Sequence, residues 1–347
     1  MRALVYRDGP ALAVEERPPP LPSAGEALLR VEACAICGTD LRIAAGGHRA
    51  YGNVNGSGRV PGHEVVGTVV ERGAGCTAEL GQRVFVAPNY GCGRCKACRA
   101  EMVNLCETPR AIGITEDGAF ADYMLAPREI VAQGNLIPVE PGGDAAALAL
   151  AEPLACAWRG SQACRIGPGD TVLVYGAGPI GLLHVGLARL AGAAGIVACD
   201  PNPARLPVAA DWGASATCGT DEADLRAALA QVGGGAADAV IVAAPAPEAQ
   251  RQALELAAPG GRVNFFAGLP RRGSGVELDT NLVHYKELVV TGTTASTNSS
   301  CRAALDLIGS GQLSTAALIG ARLPLSSVLQ GFELAAAGQM MKVVIQP

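Results

Sequence analysis

The stretch from Thr171 to Asp200 restricts the possible folds of this chain more than any other part of it. Thr171-Val-Leu-Val-Tyr175 is a run of strand-forming apolar residues, and Gly176-Ala-Gly178-Pro179-Ile180-Gly181 is a tight turn. Leu182 to Leu190 has helical character, and Ile196-Val-Ala-Cys199 is a second strand ending at Asp200. Together these segments predict a complete βαβ unit. Gly176 allows the turn, Gly178 lets backbone N–H groups approach a pyrophosphate, and Gly181 lets helix and strand pack closely. Unpaired N–H donors and partial positive charge at the helix start suit a phosphate pair. The acid nineteen residues after Gly181 strengthens a dinucleotide reading that a bare G-x-G-x-x-G would not carry. A carboxylate at that strand end accepts hydrogen bonds from the adenine-ribose hydroxyls and repels a 2′-phosphate, so Asp200 favours NAD over NADP. Arg205 lies close enough to argue the other way, or to be a solvated residue opening the next helix.

From about Ala155 to Thr294 strand-like and helix-like runs alternate: Ala204 to Trp212, Ala237 to Val242, Ala246 to Ala258, Gly261 to Phe266 and Leu288 to Thr291. This alternation predicts a doubly wound parallel sheet with helices on both faces. Before it, short β-like runs at Ala27–Glu32, Glu64–Val70 and Gln82–Val86 are separated by Gly and Pro, as in Arg17-Pro-Pro-Pro-Leu-Pro22, which predicts a small β-barrel with irregular loops. After it come expected helices at about Ser300–Ser310 and Leu325–Ala337 and a strand at Lys342–Ile345. The expected divisions are 1–153, 154–295 and 296–347, with the last returning to the first.

With 347 residues, 49% hydrophobic and 17% charged, the chain can fill two cores. A net charge of -5 argues against nucleic acid or an anionic membrane as main partner. No apolar segment follows the charged start as a signal peptide would, so the expected location is cytoplasmic. Twelve cysteines in such a chain point to metal rather than disulfides.

Cys92-x2-Cys95-x2-Cys98-x7-Cys106 provides four thiolates from one excursion, enough to close a tetrahedron around a structural Zn²⁺. Arg94, Lys96 and Arg99 can offset the thiolate charge, or mark a zinc ribbon that touches nucleic acid, a reading the acidic balance of the chain disfavours. A second set is dispersed: Cys37 in Cys37-Gly-Thr39-Asp40, His63 in Gly62-His63-Glu64, and Glu152 in Glu152-Pro-Leu. Taken singly, a histidine near a turn is more often a satisfied core residue than a ligand, and a lone cysteine is more often still small core packing.

In order and spacing, Cys37-Gly-Thr-Asp40, Gly62-His-Glu64, the Cys92/95/98/106 loop, Glu152-Pro-Leu and Gly176-Ala-Gly-Pro-Ile-Gly181 resemble the zinc-dependent medium-chain dehydrogenases. The resemblance is to the polyol (sorbitol) and L-threonine dehydrogenase branch, with Glu152 where the classical alcohol dehydrogenases carry a second cysteine. It implies an α/β fold, a Rossmann doubly wound parallel sheet plus a GroES-like β-barrel catalytic domain. It further implies NAD and two zinc ions per subunit. One zinc is structural and the other catalytic, held by Cys37, His63 and either Glu64 or Glu152. The implied reaction is oxidation of a secondary alcohol to a ketone, with hydride passing to nicotinamide C4. Thr39 would take the hydroxyl proton and Asp40 would orient His63. Gly268, in Ala267-Gly-Leu269, and Thr293, in Thr293-Thr-Ala295, would face the nicotinamide. His48, in the loop between the zinc ligands, is a candidate substrate contact; His184 reads as packing and His284 as an interface residue.

The implied substrate is a polyol, sugar or cyclitol, with L-threonine or an amino alcohol as the alternative; Thr293-Thr-Ala-Ser-Thr297 lacks the Arg-Tyr pair of animal sorbitol dehydrogenases. A zinc- and NAD-binding protein without turnover is the rival from another class. The expected partners are a small-molecule alcohol and further copies of the chain, tetramer favoured over dimer, with Glu287–Thr291 as a candidate pairing edge.

Overall fold

The computed structural model describes residues 1–7, 11–46, 58–269, 275–338 and 340–347. They form two compact units, one of Met1–Ala155 with Ala295–Pro347, the other of Cys156–Thr294.

The second unit is built on a six-stranded parallel sheet in the order Ala216–Cys218, Gly195–Cys199, Thr171–Tyr175, Ala237–Val242, Ala257–Phe265, Val289–Gly292. Every residue of Thr171–Tyr175 and Gly195–Cys199 is buried, as strands covered on both faces require. Leu173 and Tyr175 pack with Leu225, Leu229 and Leu254 on one face, each large apolar side chain contributing about 1.5–3 kcal/mol. The chain winds outward in one direction and then the other from Thr171–Tyr175. The strand order therefore reverses beside that strand, where open α/β sheets bind ligands beyond the carboxyl ends. The sequence pattern passed over the edge strand Ala216–Cys218 and the helix Glu222–Gly233. The strand is three half-buried residues long, too short to show a period.

The first unit is mostly antiparallel. Its main sheet runs Ile319–Pro324, Lys342–Gln346, Ala27–Ala35, Glu64–Arg72, Arg83–Val86, Leu136–Pro138, with Tyr123–Ala126 also on Ala27–Ala35. Leu29, Val31, Val65, Val84, Phe120 and Ile345 fill its core. Two registers place the chemistry. Ala35 is opposite Glu64, which brings the chain after Ala35 beside His63 and Glu64. Val344 is opposite Ala35, which brings Lys342 to the same end. Among the described residues no helix is long and apolar enough to cross a membrane.

Candidate active site

Cys37 is the N-cap of the short helix Gly38–Ala44. Its Sγ accepts from the Thr39 N–H, and Asp40 Oδ2 accepts from the Cys37 N–H at 2.9 Å, closing a reciprocal capping box. The thiol position is thereby fixed by local sequence alone. Asp40 Oδ1 faces His63 Nδ1 at 3.6 Å across buried space, and neither atom has a hydrogen bond. Burial alone would lower the His63 pKa, but the nearby charge of Asp40 carries it well above the usual range. Ligand atoms of Cys37, His63 and Glu64 lie within 4.8 Å of one another. A thiolate, an imidazole nitrogen and a carboxylate converging in a buried pocket, with an unsatisfied imidazole–carboxylate pair behind them, fit a zinc ion.

The two glutamates have different neighbours. Glu64 is fully buried, and Lys342 Nζ lies 2.6 Å from each of its oxygens. Glu152, in the first turn of Ala151–Cys164, lies outside the 4.8 Å group, and its Oε1 accepts from Ser296 Oγ at 3.0 Å. Ser296 Oγ in turn accepts from Asn89 Nδ2 at 2.9 Å. Thr39 Oγ1 accepts from the guanidinium of Arg42 at 3.2 Å. Lys342, Ser296, Asn89 and Arg42 are the site neighbours that sequence motifs did not single out, although Arg42 lies two residues beyond the Cys37-Gly-Thr-Asp40 motif and Ser296 within Thr293–Thr297.

The four cysteines Cys92, Cys95, Cys98 and Cys106 also gather within 4.8 Å. Sγ of Cys95 is 3.5 Å from that of Cys98 and 3.8 Å from that of Cys106, close to the ~3.8 Å edge of a tetrahedron with 2.3 Å Zn–S bonds. Backbone N–H groups of Cys92, Cys95, Cys98 and Thr108 point at these sulfurs. Such donors, from Cys98 first and then Glu107, pull the Cys95 thiol down to about 6. Burial and its cysteine neighbours push the Cys98 thiol up to about 12, so it is the gathering of four sulfurs at tetrahedral spacing that fits a metal, whose binding would displace that proton.

In the second unit, Gly176 has φ +95°, and a Cβ on Gly181 would stand 1.6 Å from the Gly176 carbonyl oxygen, so the turn itself requires both glycines. Gly178 differs: a Cβ there would meet only Arg205, at 3.7 Å. Its small size therefore answers no demand of the protein's own packing and leaves a cradle beside the start of Pro179–Leu190 that fits a pyrophosphate. Asp200 is buried, Oδ2 accepting from the Ala177 N–H and Oδ1 from the Asn202 N–H, both at 2.8 Å, with Arg205 at 3.5 Å. Thr293 Oγ1 donates to Asn264 Oδ1 at 3.2 Å. Gly268 has open space where a Cβ would stand.

His48 lies outside the described residues. His184 is fully buried, edge-on to Phe266 at 4.8 Å, and burial lowers its pKa to about 3: it is packing. His284 is exposed, edge-on to Tyr285.

Comparison with known proteins identifies the family. Residues 23–138 match the family model described as alcohol dehydrogenase GroES-like domain, and residues 179–310 match that of zinc-binding dehydrogenase. An L-threonine 3-dehydrogenase of Bacillus licheniformis is 33% identical, over 100% of this chain and 99% of its own. The L-galactonate-5-dehydrogenase of Escherichia coli strain K12 is 32% identical, over 96% of this chain and 94% of its own. A zinc-binding dehydrogenase of Sinorhizobium meliloti 1021, solved bound to NADP, superimposes with a TM-score of 0.89 at 34% identity, over 100% of this chain and 99% of that one. The thiolate–imidazole–carboxylate cluster, the four-cysteine lobe and the dinucleotide turn thus occur together in a chain that belongs to the zinc-dependent medium-chain dehydrogenases, in the branch of the polyol and threonine dehydrogenases.

Proposed function

We propose that the chain oxidises a secondary alcohol of a polyol, sugar or cyclitol to the ketone with NAD as hydride acceptor. The observation that carries this reading is the convergence of Cys37 and His63 beside the Glu64 carboxylate that Lys342 engages, with Thr39 two residues from the thiol. When bound, zinc at that cluster supplies Lewis acidity at the substrate oxygen, and NAD supplies the carbon that accepts hydride. The rest falls to the protein's own groups. Carbon loses a hydride and the hydroxyl loses a proton, so a C=O forms and the electrons balance. Thr39 Oγ1 takes the proton on a lone pair as its own O–H gives one to solvent; the guanidinium of Arg42 fixes that hydroxyl in place. Asp40 holds the His63 ring on the side away from the substrate. Glu152 and the network through Ser296 and Asn89 keep the pocket polar, which suits a polyhydroxylated substrate better than an aliphatic one.

Asp200 supports NAD over NADP, because a carboxylate at the end of the second strand of a βαβ unit would repel a 2′-phosphate. Replacing Asp200 by Ala should lower kcat/KM for NAD by about 10–100-fold, the worth of hydrogen bonds to a charged group, and lower it less for NADP. A second reading, oxidation of L-threonine, is supported by the L-threonine 3-dehydrogenase relative. We also infer a homo-oligomer, on the ground that Val289 and Val290, in the last strand of the parallel sheet, and Tyr285 are exposed. Light scattering behind size exclusion tests it, and a monomer refutes it.

The deciding assay follows NADH absorbance for zinc-loaded protein with NAD and a panel of polyols, cyclitols, sugar acids, amino alcohols and threonine. Turnover of one class, lost by about 10³-fold or more in Cys37→Ser, supports the mechanism and names the substrate group. Silence across the panel with zinc and NAD bound favours a protein without turnover.

A further inference from the structure

Glu64 follows His63 directly and faces the metal cluster, yet its carboxylate is already engaged. Lys342, the first residue of the strand Lys342–Gln346, places Nζ 2.6 Å from Oε1, 2.6 Å from Oε2 and 3.1 Å from the Ile36 carbonyl oxygen. An ammonium has three protons to donate, and these three acceptors match them. The side chains are 0% exposed for Glu64 and 5% for Lys342, so water does not compete for either. The pair is held by backbone rather than by chance approach. Val344 is opposite Ala35 in the sheet, Ile36 N–H donates to the Val343 carbonyl, and Ala35 is opposite Glu64.

A carboxylate whose two oxygens both accept from a cation is a poor donor to a second cation, because its charge is offset at 2.6 Å and a lone pair on each oxygen is spent. Removing the lysine would leave a buried anion without that compensation, a state costing several kcal/mol unless the carboxylate finds another cation. The other cation within its reach is the metal that Cys37 and His63 would hold. We propose that Lys342 is a positioning residue that keeps Glu64 off the catalytic metal, so that the lysine governs how firmly the metal is held and how many protein ligands it has. This rests on the zinc reading of the Cys37–His63 cluster.

The test uses the full-length zinc protein and its cobalt(II)-substituted form, comparing wild type, Lys342→Met, Lys342→Met with Glu64→Gln, and Glu64→Gln alone. Zinc release to a chromogenic chelator and the visible cobalt spectrum are read without any substrate. In Lys342→Met the zinc of the Cys37–His63 cluster, told apart from that of the four cysteines by its absence in Cys37→Ser, should leave about 10–100-fold more slowly, and the cobalt bands should change as the Glu64 carboxylate joins the metal. Adding Glu64→Gln should restore both. Unchanged release and an unchanged cobalt spectrum in Lys342→Met overturn the inference. If Lys342→Met does not fold, Glu64→Gln decides: release within about twofold of wild type supports the inference, and release about tenfold faster overturns it by making Glu64 a resting ligand. Wild-type protein whose zinc content is unchanged by Cys37→Ser has no metal at that cluster, which removes the zinc reading and this inference with it. Two zincs with unmoved kinetics remove this inference alone.

Discussion

Thr39 is the residue on which the proton side of the reaction depends. Thr39→Val keeps the β-branched shape and the N–H that caps on Cys37, and loses only the hydroxyl that Arg42 holds. We expect zinc content and melting temperature to stay the same while kcat falls by about 10²–10⁴-fold, the usual worth of a positioned proton acceptor. Near-full activity in this variant would show that the proton leaves by another route. Cys37, Thr39, Asp40 and the Cys92/95/98/106 set were legible in the sequence for one physical reason: each is fixed by bonds within a few residues of itself, a capping box in one case and N–H···S contacts in the other. Lys342 and Ser296 were not legible, because they reach their carboxylates across 278 and 144 residues of chain. Only the sheet registers bring Lys342 there.

Among the elements, the turn between Thr171–Tyr175 and Pro179–Leu190 separates what the fold needs from what a ligand needs. Gly181→Ala would put a methyl group 1.6 Å from the Gly176 carbonyl oxygen, so the helix has to move off the strand. A cost of about 3 kcal/mol or more is expected, read as a marked loss of melting temperature in this unit. Gly178→Ala meets only Arg205 at 3.7 Å, and should leave stability within about 1 kcal/mol while weakening NADH binding by tenfold or so, read by nucleotide fluorescence. If Gly178→Ala bound NADH normally, the cradle would not be the pyrophosphate site. Elements with long apolar runs and glycine punctuation, such as Thr171–Tyr175 and Ala237–Val242, were readable from sequence because both faces are buried. The strands Ala216–Cys218 and Ile319–Pro324 were not: one is short and half-buried, and the other alternates half-buried with exposed residues. Position in the sheet makes them strands, and periodicity alone does not show it.

For the molecule as a whole, the two units should respond differently to acid. Burial alone would raise Glu32 and Asp122, but hydrogen bonds from Thr68 and Arg83 to the first, and from Arg2 to the second, hold both below their ordinary values. Asp144 is held low by Arg322, against a smaller effect of burial. All three lie in the unit of Met1–Ala155 with Ala295–Pro347. A folded-state pKa below the unfolded one means that the unfolded chain binds more protons. This stability is therefore complete above the unfolded values of about 4, and is lost as pH falls through the folded ones. Each pair is partly exposed, so each is worth no more than about 1 kcal/mol, and together they weaken this unit below pH ~4. The chain's two tryptophans, Trp158 and Trp212, both lie in the other unit, so their emission is blind to this loss. In that other unit the fully buried His184 has a folded pKa of about 3 against ~6.5 unfolded, so the unfolded chain again binds more protons and the unit loses stability as pH falls from ~6.5. In a titration from pH 7 to ~2.5, hydrogen exchange in Thr171–Tyr175 and tryptophan emission should therefore change at a higher pH than exchange in Ala27–Ala35 or Glu64–Arg72. Coincident transitions at every probe would mean that the units unfold as one.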